Sequence, residues 1–461
     1  MPIGLLLAAV CLKQTATQYP VFEKDKLPPA LYRQRREAIK QTIGPDGIGL
    51  LFTNPERNRN NDDDFRFRGD SNFLYLTGFE EPDAALLLVP GGVEVDGKRV
   101  TEVLFCNESN QESITWNGYR MGSKEAPGLT GIEFAVTNSR FNDILSSVHP
   151  AKLWETALPT GATGELDQMI SIAQAWAGQQ KLAPTHMESA LSKLRVVKSA
   201  EELTLMRHAA EVSAEAHVEA MRACRPGLRE YQLQALLEYV FTANGCESTA
   251  YNSIVGSGPN SCILHYEDDR RLMQDGDLVC IDAAGEFHGY AADVTRTYPV
   301  NGHFTAPQKE IYEIVRKAQE AGINECRSGK PFNSTHAAAR KVLIEGLKGL
   351  GIITKDAELG RYFMHGTSHY VGLDVHDAHG SNTLQPGAVL TVEPGIYIRE
   401  GSPCPSKYWN IGIRIEDDIL VTTGEPVILS KAAPRSIPEI EKLMKDKKLG
   451  ALAPLPLDPK G

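Results

Sequence analysis

Leu278-Val-Cys-Ile-Asp282-Ala-Ala-Gly-Glu-Phe-His-Gly-Tyr-Ala-Ala-Asp293-Val-Thr-Arg-Thr297 is an apolar run that ends in a carboxylate, then a turn, then a second run with a second carboxylate. The first part has the form of a buried strand presenting an acid at its tip. A turn through Gly285 and Gly289 lets a hairpin carry Asp293 beside Asp282 from the neighbouring strand. Two further segments repeat the pattern: Val389-Leu-Thr-Val-Glu393-Pro-Gly and Ile411-Gly-Ile-Arg414-Ile-Glu416-Asp-Asp-Ile. In the latter, strand periodicity sets Arg414 and Glu416 on one face, opposite the isoleucines.

The histidines point to the same half of the chain. None of the twelve precedes position 149, and four fall within His365-Gly-Thr-Ser-His369-Tyr-Val-Gly-Leu-Asp-Val-His376-Asp-Ala-His379. Taken singly, each acid reads first as a cap, a surface charge or half of an ion pair, and loop histidines can simply be solvated; only convergence requires something more. If the acids converge, cations are compulsory, because four anions a few ångströms apart repel strongly at any protein dielectric. Four carboxylates with one imidazole suit two divalent ions, Mn²⁺ first, with Co²⁺ or Zn²⁺ also fitting. Such a pair would lower the pKa of a shared water enough to supply hydroxide near neutrality.

The rest of the chain bounds the alternatives. At 461 residues, 42% hydrophobic and 23% charged, it is an ordinary folded protein of two or three domains, not a disordered, collagen-like or disulfide-stapled one. A net charge of -11 leaves no basic footprint, so neither nucleic acid nor an anionic membrane is an expected partner. Eight cysteines without a CxxC pair exclude a readable zinc finger or thioredoxin motif. The apolar run Ile3 to Leu12 is too short to span a bilayer; a cytoplasmic location is expected, with export as the alternative if this run serves as a signal h-region. The fold class expected is α+β. A smaller α/β domain covers 20–190, with a helix at Leu31 to Gln41 and short strands at 49–53, 84–89 and 103–106. A second, larger domain covers 191–445, and a flexible tail 446–461. The second half opens with a capping box, Ser199 and Glu202, before a helix broken by Pro226-Gly227; helices follow from about 230 to 244, 308 to 326 and 335 to 350, with strands at 278–283, 290–298, 388–393 and 411–421.

The ordered set Asp282, Asp293, His369, Glu393, Glu416 resembles the dimetal centre of the pita-bread metallopeptidases, most closely the Xaa-Pro aminopeptidases. Ile254-Val-Gly-Ser-Gly-Pro-Asn-Ser-Cys-Ile-Leu-His265-Tyr matches their pattern too, and so, more weakly, do Phe73 to Ala84 and the segment around Trp116 in the first half. The resemblance implies that Asp293 and Glu416 bridge two ions, Asp282 chelates one, and His369 with Glu393 completes the other, with a bridging hydroxide as nucleophile. It assigns Glu393 the proton of that water, His265, His365 and His376 the substrate and the tetrahedral intermediate, and Arg414 the orientation of the bridging carboxylates. Trp116 would shape the pocket for the first substrate residue, a core tryptophan being the alternative, and His379 is expected to be solvated. The implied activity is release of the N-terminal residue from peptides with proline second, by a homo-oligomer, dimer or tetramer. Prolidase, which takes Xaa-Pro dipeptides, is the competitor, although its loop usually reads His-Gly-x-Gly-His where Ser368 stands here. A non-catalytic pita-bread binding protein is the third reading, disfavoured because all five ligand positions are filled.

Overall fold

A computed structural model describes residues 24–446. The run 3–12 and the tail from 447 onward, which carry the export and flexible-tail expectations, lie outside the described residues. The chain divides into one unit ending at His186 and a second beginning at Met187. Among the described residues no helix is long and apolar enough to cross a membrane.

The N-terminal unit is built on a six-stranded sheet of β1 (Gly47–Phe52), β2 (Ala85–Val95), β3 (Lys98–Cys106), β4 (Ala135–Thr137), β5 (Lys152–Glu155) and β6 (Pro184–His186), in the order β4-β3-β2-β1-β5-β6. The β1–β2 and β2–β3 pairs are antiparallel; the outer pairs are parallel. Helix α1 (Pro29–Ile43) starts on a proline, whose missing N–H costs nothing in a first turn. Its Arg36 is fully buried, paired with Glu102 at 3.0 Å and donating to the Leu76 and Gly131 carbonyls, so the buried charge is fully partnered. Helix α2 (Gly164–Gln180) packs Leu166, Met169, Ile170, Ala173 and Trp176 into the core on the other side of this unit.

The second unit is α+β. Helix α3 (Ala200–Ala223) begins at the expected capping box: Ser199 Oγ accepts from the Glu202 N–H at 3.2 Å, and the Glu202 carboxylate accepts from the Ser199 N–H at 2.8 Å. Such caps contribute about 1 kcal/mol. Helix α4 (Glu230–Ala243) follows, then α5 (Ala306–Glu325), opened by the reciprocal Thr305–Gln308 pair, and α6 (Ser334–Gly349). The strands form small antiparallel sheets. One joins β7 (Ile254–Ser257), β8 (Leu278–Asp282) and, through a hairpin of β9 (Gly285–Phe287) and β10 (Tyr290–Ala291), β11 (Thr295–Pro299), in the order β7-β8-β11. Two more pair β12 (Val389–Val392) with β15 (Asp417–Leu420) and β13 (Gly395–Ile398) with β14 (Ile411–Arg414).

Two strands expected to be continuous are interrupted. The expected 290–298 strand splits between β10 and β11, leaving Asp293 outside both ladders, and 411–421 splits between β14 and β15, leaving Glu416 in the gap. At each gap the backbone turns to a new partner: the Glu416 N–H donates to the Thr295 carbonyl (3.1 Å), and the Asp293 N–H to the Asp418 carboxylate (3.0 Å). Alternating hydrophobicity continues across such a gap, so periodicity alone does not register it.

Candidate metal centre

Asp282 ends β8, and its register partner Thr295 begins β11, so Asp293 lies just before the paired segment on the returning arm. The Tyr251 hydroxyl reaches both acids, 2.5 Å from Asp282 Oδ1 and 2.8 Å from Asp293 Oδ1. Glu393 follows β12 directly, its N–H donating to the Thr367 carbonyl at 2.8 Å. His369 docks on the same strand, its N–H donating to Thr391 Oγ1 at 3.1 Å while its carbonyl accepts from the Thr391 N–H at 2.9 Å. These bonds bring His369 Nε2 to 3.5 Å from Glu393 Oε1 and 3.4 Å from Asp293 Oδ2. Glu416 is fully buried and accepts from Thr295 Oγ1 at 2.6 Å. One donor atom from each of Asp293, His369 and Glu416 can be chosen so that all lie within 4.8 Å of one another.

All five expected ligands thus line one cleft of about 370 Å³, together with His265, His365, His376, Arg414, Ser368 and Leu264. A larger cleft of about 750 Å³ lies against Arg222, Arg316, Arg435 and Lys442, but basic and acidic side chains are mixed there without converging, so size does not select the site. Arg414, on β14, donates to Asp282 Oδ2 at 2.7 Å and meets Glu416 through Thr295, whose Oγ1 accepts from Arg414 Nε at 3.2 Å. Its other arm donates to the Tyr397 hydroxyl (3.0 Å), which lies 2.9 Å from His365 Nε2. With His365 Nδ1 at 2.7 Å from the Gly366 carbonyl, a neutral imidazole carrying Nδ1–H accounts for both contacts. Burial, reinforced by the Arg414 charge, pushes His365 down to about 4. His265 and His376 are exposed at the rim, the latter with its ring 4.2 Å from that of His369.

The charge balance tests whether metal fits. Burial, with repulsion from the neighbouring acids, raises Asp282 and Glu416 above the ordinary carboxylate range and Glu393 to about 8. His369 moves up to about 9, since Asp293 and Glu393 together outweigh its burial. The acids therefore draw protons into the cleft, and hard or borderline divalent cations are what oxygen donors with one imidazole accept in their place. The donor set fits.

Several side chains at the site carried no sequence signal. Tyr251 sits in a loop without periodicity, and Thr295 and Tyr397 look like ordinary strand residues. Thr335 and His336, at the start of α6, hold the histidine loop through Ser368 (2.9 Å) and Thr367 (2.9 Å). Asp418 had a signal: Glu416-Asp417-Asp418 is an acidic run inside an apolar strand, and all three are fully buried. Trp116 is 81% exposed in the N-terminal unit, which removes the core alternative. His379 is exposed and pairs with Asn382 at 2.9 Å.

Comparison with known proteins agrees with this reading. Residues 204–423 match Metallopeptidase family M24, and residues 32–154 match the Aminopeptidase P N-terminal domain. An Xaa-Pro aminopeptidase of Escherichia coli is 38% identical over 435 residues, covering 90% of this chain and 97% of its own. Human Xaa-Pro aminopeptidase 3 is 34% identical, covering 89% and 83%. The solved E. coli aminopeptidase P with the inhibitor Pro-Leu superposes with a TM-score of 0.84 at 36% identity, over 92% of this chain and 99% of its own. An aminopeptidase of Pseudomonas aeruginosa gives 0.83 at 38% identity, over 92% and 100%. The α+β pita-bread architecture preceded by a smaller α/β domain is thereby borne out, the prolidase alternative is not favoured, and divalent-metal binding comes with the family. The chain belongs to metallopeptidase family M24 and, within it, to the Xaa-Pro aminopeptidases, which are hydrolases.

Proposed function

We propose that this chain removes the N-terminal residue from peptides bearing proline second, using two divalent ions, Mn²⁺ by preference, held by Asp282, Asp293, His369, Glu393 and Glu416. The observation that carries the reading is the gathering of these five side chains and three further histidines on one cleft. The family relatives are named for Xaa-Pro peptides, and one E. coli structure is described as zinc-substituted with product, which speaks for tolerance among ions.

Bound there, the ions would neutralise the acids, polarise the scissile carbonyl and activate a water for attack. The chain's own residues do the rest. Glu393, a carboxylate once the ions are bound, can take a proton from the attacking water at its free oxygen and pass it to the prolyl nitrogen as that group leaves. His376 and His265, exposed at the rim, can donate to the substrate carbonyl. Tyr397 fixes the neutral His365, and Arg414 fixes Asp282 against rotation. An Xaa-Pro bond lacks an N–H, so recognition rests on ring shape and on the chain end; the acidic cluster attracts a free amino terminus and limits cleavage to one residue.

The test is hydrolysis of Ala-Pro and Ala-Pro-Ala by apo protein restored with Mn²⁺, Co²⁺ or Zn²⁺. Rapid release of Ala from the tripeptide is expected, fastest with Mn²⁺. Cleavage of the dipeptide alone would make the protein a prolidase, and a metal-loaded protein inert to both would make it a binding module. Cytoplasmic residence is supported by the free thiols of all seven described cysteines. A homo-oligomer is supported by the exposed Phe65, Trp116 and Tyr119 of the N-terminal unit, and light scattering tests it.

A further inference from the structure

We infer that His217 is a positioning residue for the metal centre, holding in register the two arms of the hairpin that carry Asp282 and Asp293. The inference rests on the dimetal reading above. β8 ends at Asp282 and β11 begins at Thr295, so the next carbonyl along, that of Ala283, lies outside the β8–β11 ladder. A buried carbonyl needs a donor. His217, in the middle of α3 and fully buried, supplies it: Nε2 lies 3.0 Å from the Ala283 oxygen. The Ala283 N–H in turn donates to the Val294 carbonyl at 3.2 Å, and that carbonyl also faces the imidazole. The residue after each aspartate is therefore tied to the other, and Ala283 to the His217 side chain.

The same helix holds the outgoing arm once more. Ser213, one turn before His217 and on the same face, accepts from the Gly285 N–H at 3.0 Å while donating to the Ala209 carbonyl at 2.7 Å. Tyr290, on the far arm, donates to Glu202 near the start of α3 at 2.9 Å. The hairpin is thus fastened to α3 at three points, and His217 is the one adjacent to the ligands.

A packing role alone does not account for an imidazole here. Nδ1 has no hydrogen-bond partner, so half of the ring's polar capacity is buried unused, and a methionine or leucine of similar volume would avoid that penalty. Burial, with the Arg296 charge adding to it, pushes the ring down to about 4, so it is neutral with a single N–H, and the Ala283 contact uses it.

The experiment compares full-length His217→Gln, His217→Asn and His217→Met with wild type. Glutamine carries its N–H about as far from the helix as Nε2; asparagine is a methylene short; methionine has the reach without the donor. Each chelated protein is titrated with Mn²⁺ alone in a calorimeter, and kcat and KM are measured on Ala-Pro-Ala. Expected is Mn²⁺ binding about 10- to 100-fold weaker in the methionine and asparagine variants, with kcat falling while KM holds, and recovery to within about threefold in the glutamine variant. If the methionine variant does not fold, the asparagine and glutamine pair still decides. Equal Mn²⁺ affinity in that pair, or native affinity in the methionine variant, would make His217 a core residue and nothing more. A wild type that binds no Mn²⁺ at all would instead remove the dimetal reading itself.

Discussion

Tyr251→Phe is the substitution whose effect is most directly worked from the structure. The tyrosine is half-buried, and desolvation together with the charges of Asp282 and Asp293 keeps it protonated. Its oxygen lies 2.5 and 2.8 Å from one oxygen of each acid, but a hydroxyl has one proton, so the pair shares a single charge-assisted hydrogen bond. Phenylalanine keeps the ring, so the packing contribution is unchanged and only that bond is lost. A hydrogen bond to a charged group contributes about 1.5–3 kcal/mol. At 1.4 kcal/mol per factor of ten, Mn²⁺ affinity falls about 10- to 100-fold. Calorimetric titration of the chelated variant measures this directly, and the tripeptide assay at saturating Mn²⁺ should return most of the activity. Binding within a factor of about three of wild type would show that the hydroxyl does not hold the two carboxylates for metal, and the case for Tyr251 as their organiser would be lost.

Other outcomes follow from the same geometry. Asp293→Ala or Glu416→Ala removes an acid from the middle of the cluster, and elemental analysis should find metal lost together with activity; near-normal turnover in either contradicts the proposed site. Because Glu393 and His369 stand at about 8 and about 9 before metal arrives, Mn²⁺ binding at pH 7 should release protons and weaken as pH falls, read as a dependence of the binding enthalpy on buffer ionisation; identical heats in buffers of different ionisation enthalpy would refute it. Asp269 is buried with Oδ2 unpartnered and Oδ1 accepting from the Val255 N–H at 2.9 Å, and burial, with Glu230 and Glu238 nearby, raises it from 3.8 to about 7. The native state then binds more protons than the unfolded chain between those values, so its contribution to stability falls as pH rises through that window. Asp269→Asn keeps the Val255 bond and cannot ionise, so it should be more stable at pH 8 by about 1–3 kcal/mol, with a flatter urea-midpoint profile from pH 4 to 7; parallel profiles would exclude the effect.

The acids and the histidines were legible because each stands against a contrasting background. Asp282 and Glu393 end apolar runs, Glu416 follows alternating isoleucines, and His369 lies in a chain whose first 148 residues hold no histidine. Helix starts were legible for the same reason, as Ser199 with Glu202 and Thr305 with Gln308 show, since a cap is a local event. What stayed hidden was everything decided by where the chain returns in space. Tyr251 has no distinguishing neighbours, and its role exists only because the hairpin brings Asp293 to Asp282. The gaps that leave Asp293 and Glu416 outside their ladders arise from a change of partner strand, which an alternating pattern does not encode. His217 reads as one more inward position of α3, and only the free carbonyl of Ala283 gives its nitrogen a purpose.

The scatter of the proposed ligands along the chain also bears on how divalent ions would be acquired as the protein is made. During synthesis Asp282 and Asp293 emerge first, and two carboxylates on one hairpin are a weak trap for any cation. The imidazole, Glu393 and Glu416 come later, and Glu416 takes its place only once its backbone has found Thr295 on the earlier hairpin. Loading therefore waits for the finished domain. At the proposed site, the choice among divalent ions would then fall to the mature cleft, not to the nascent chain.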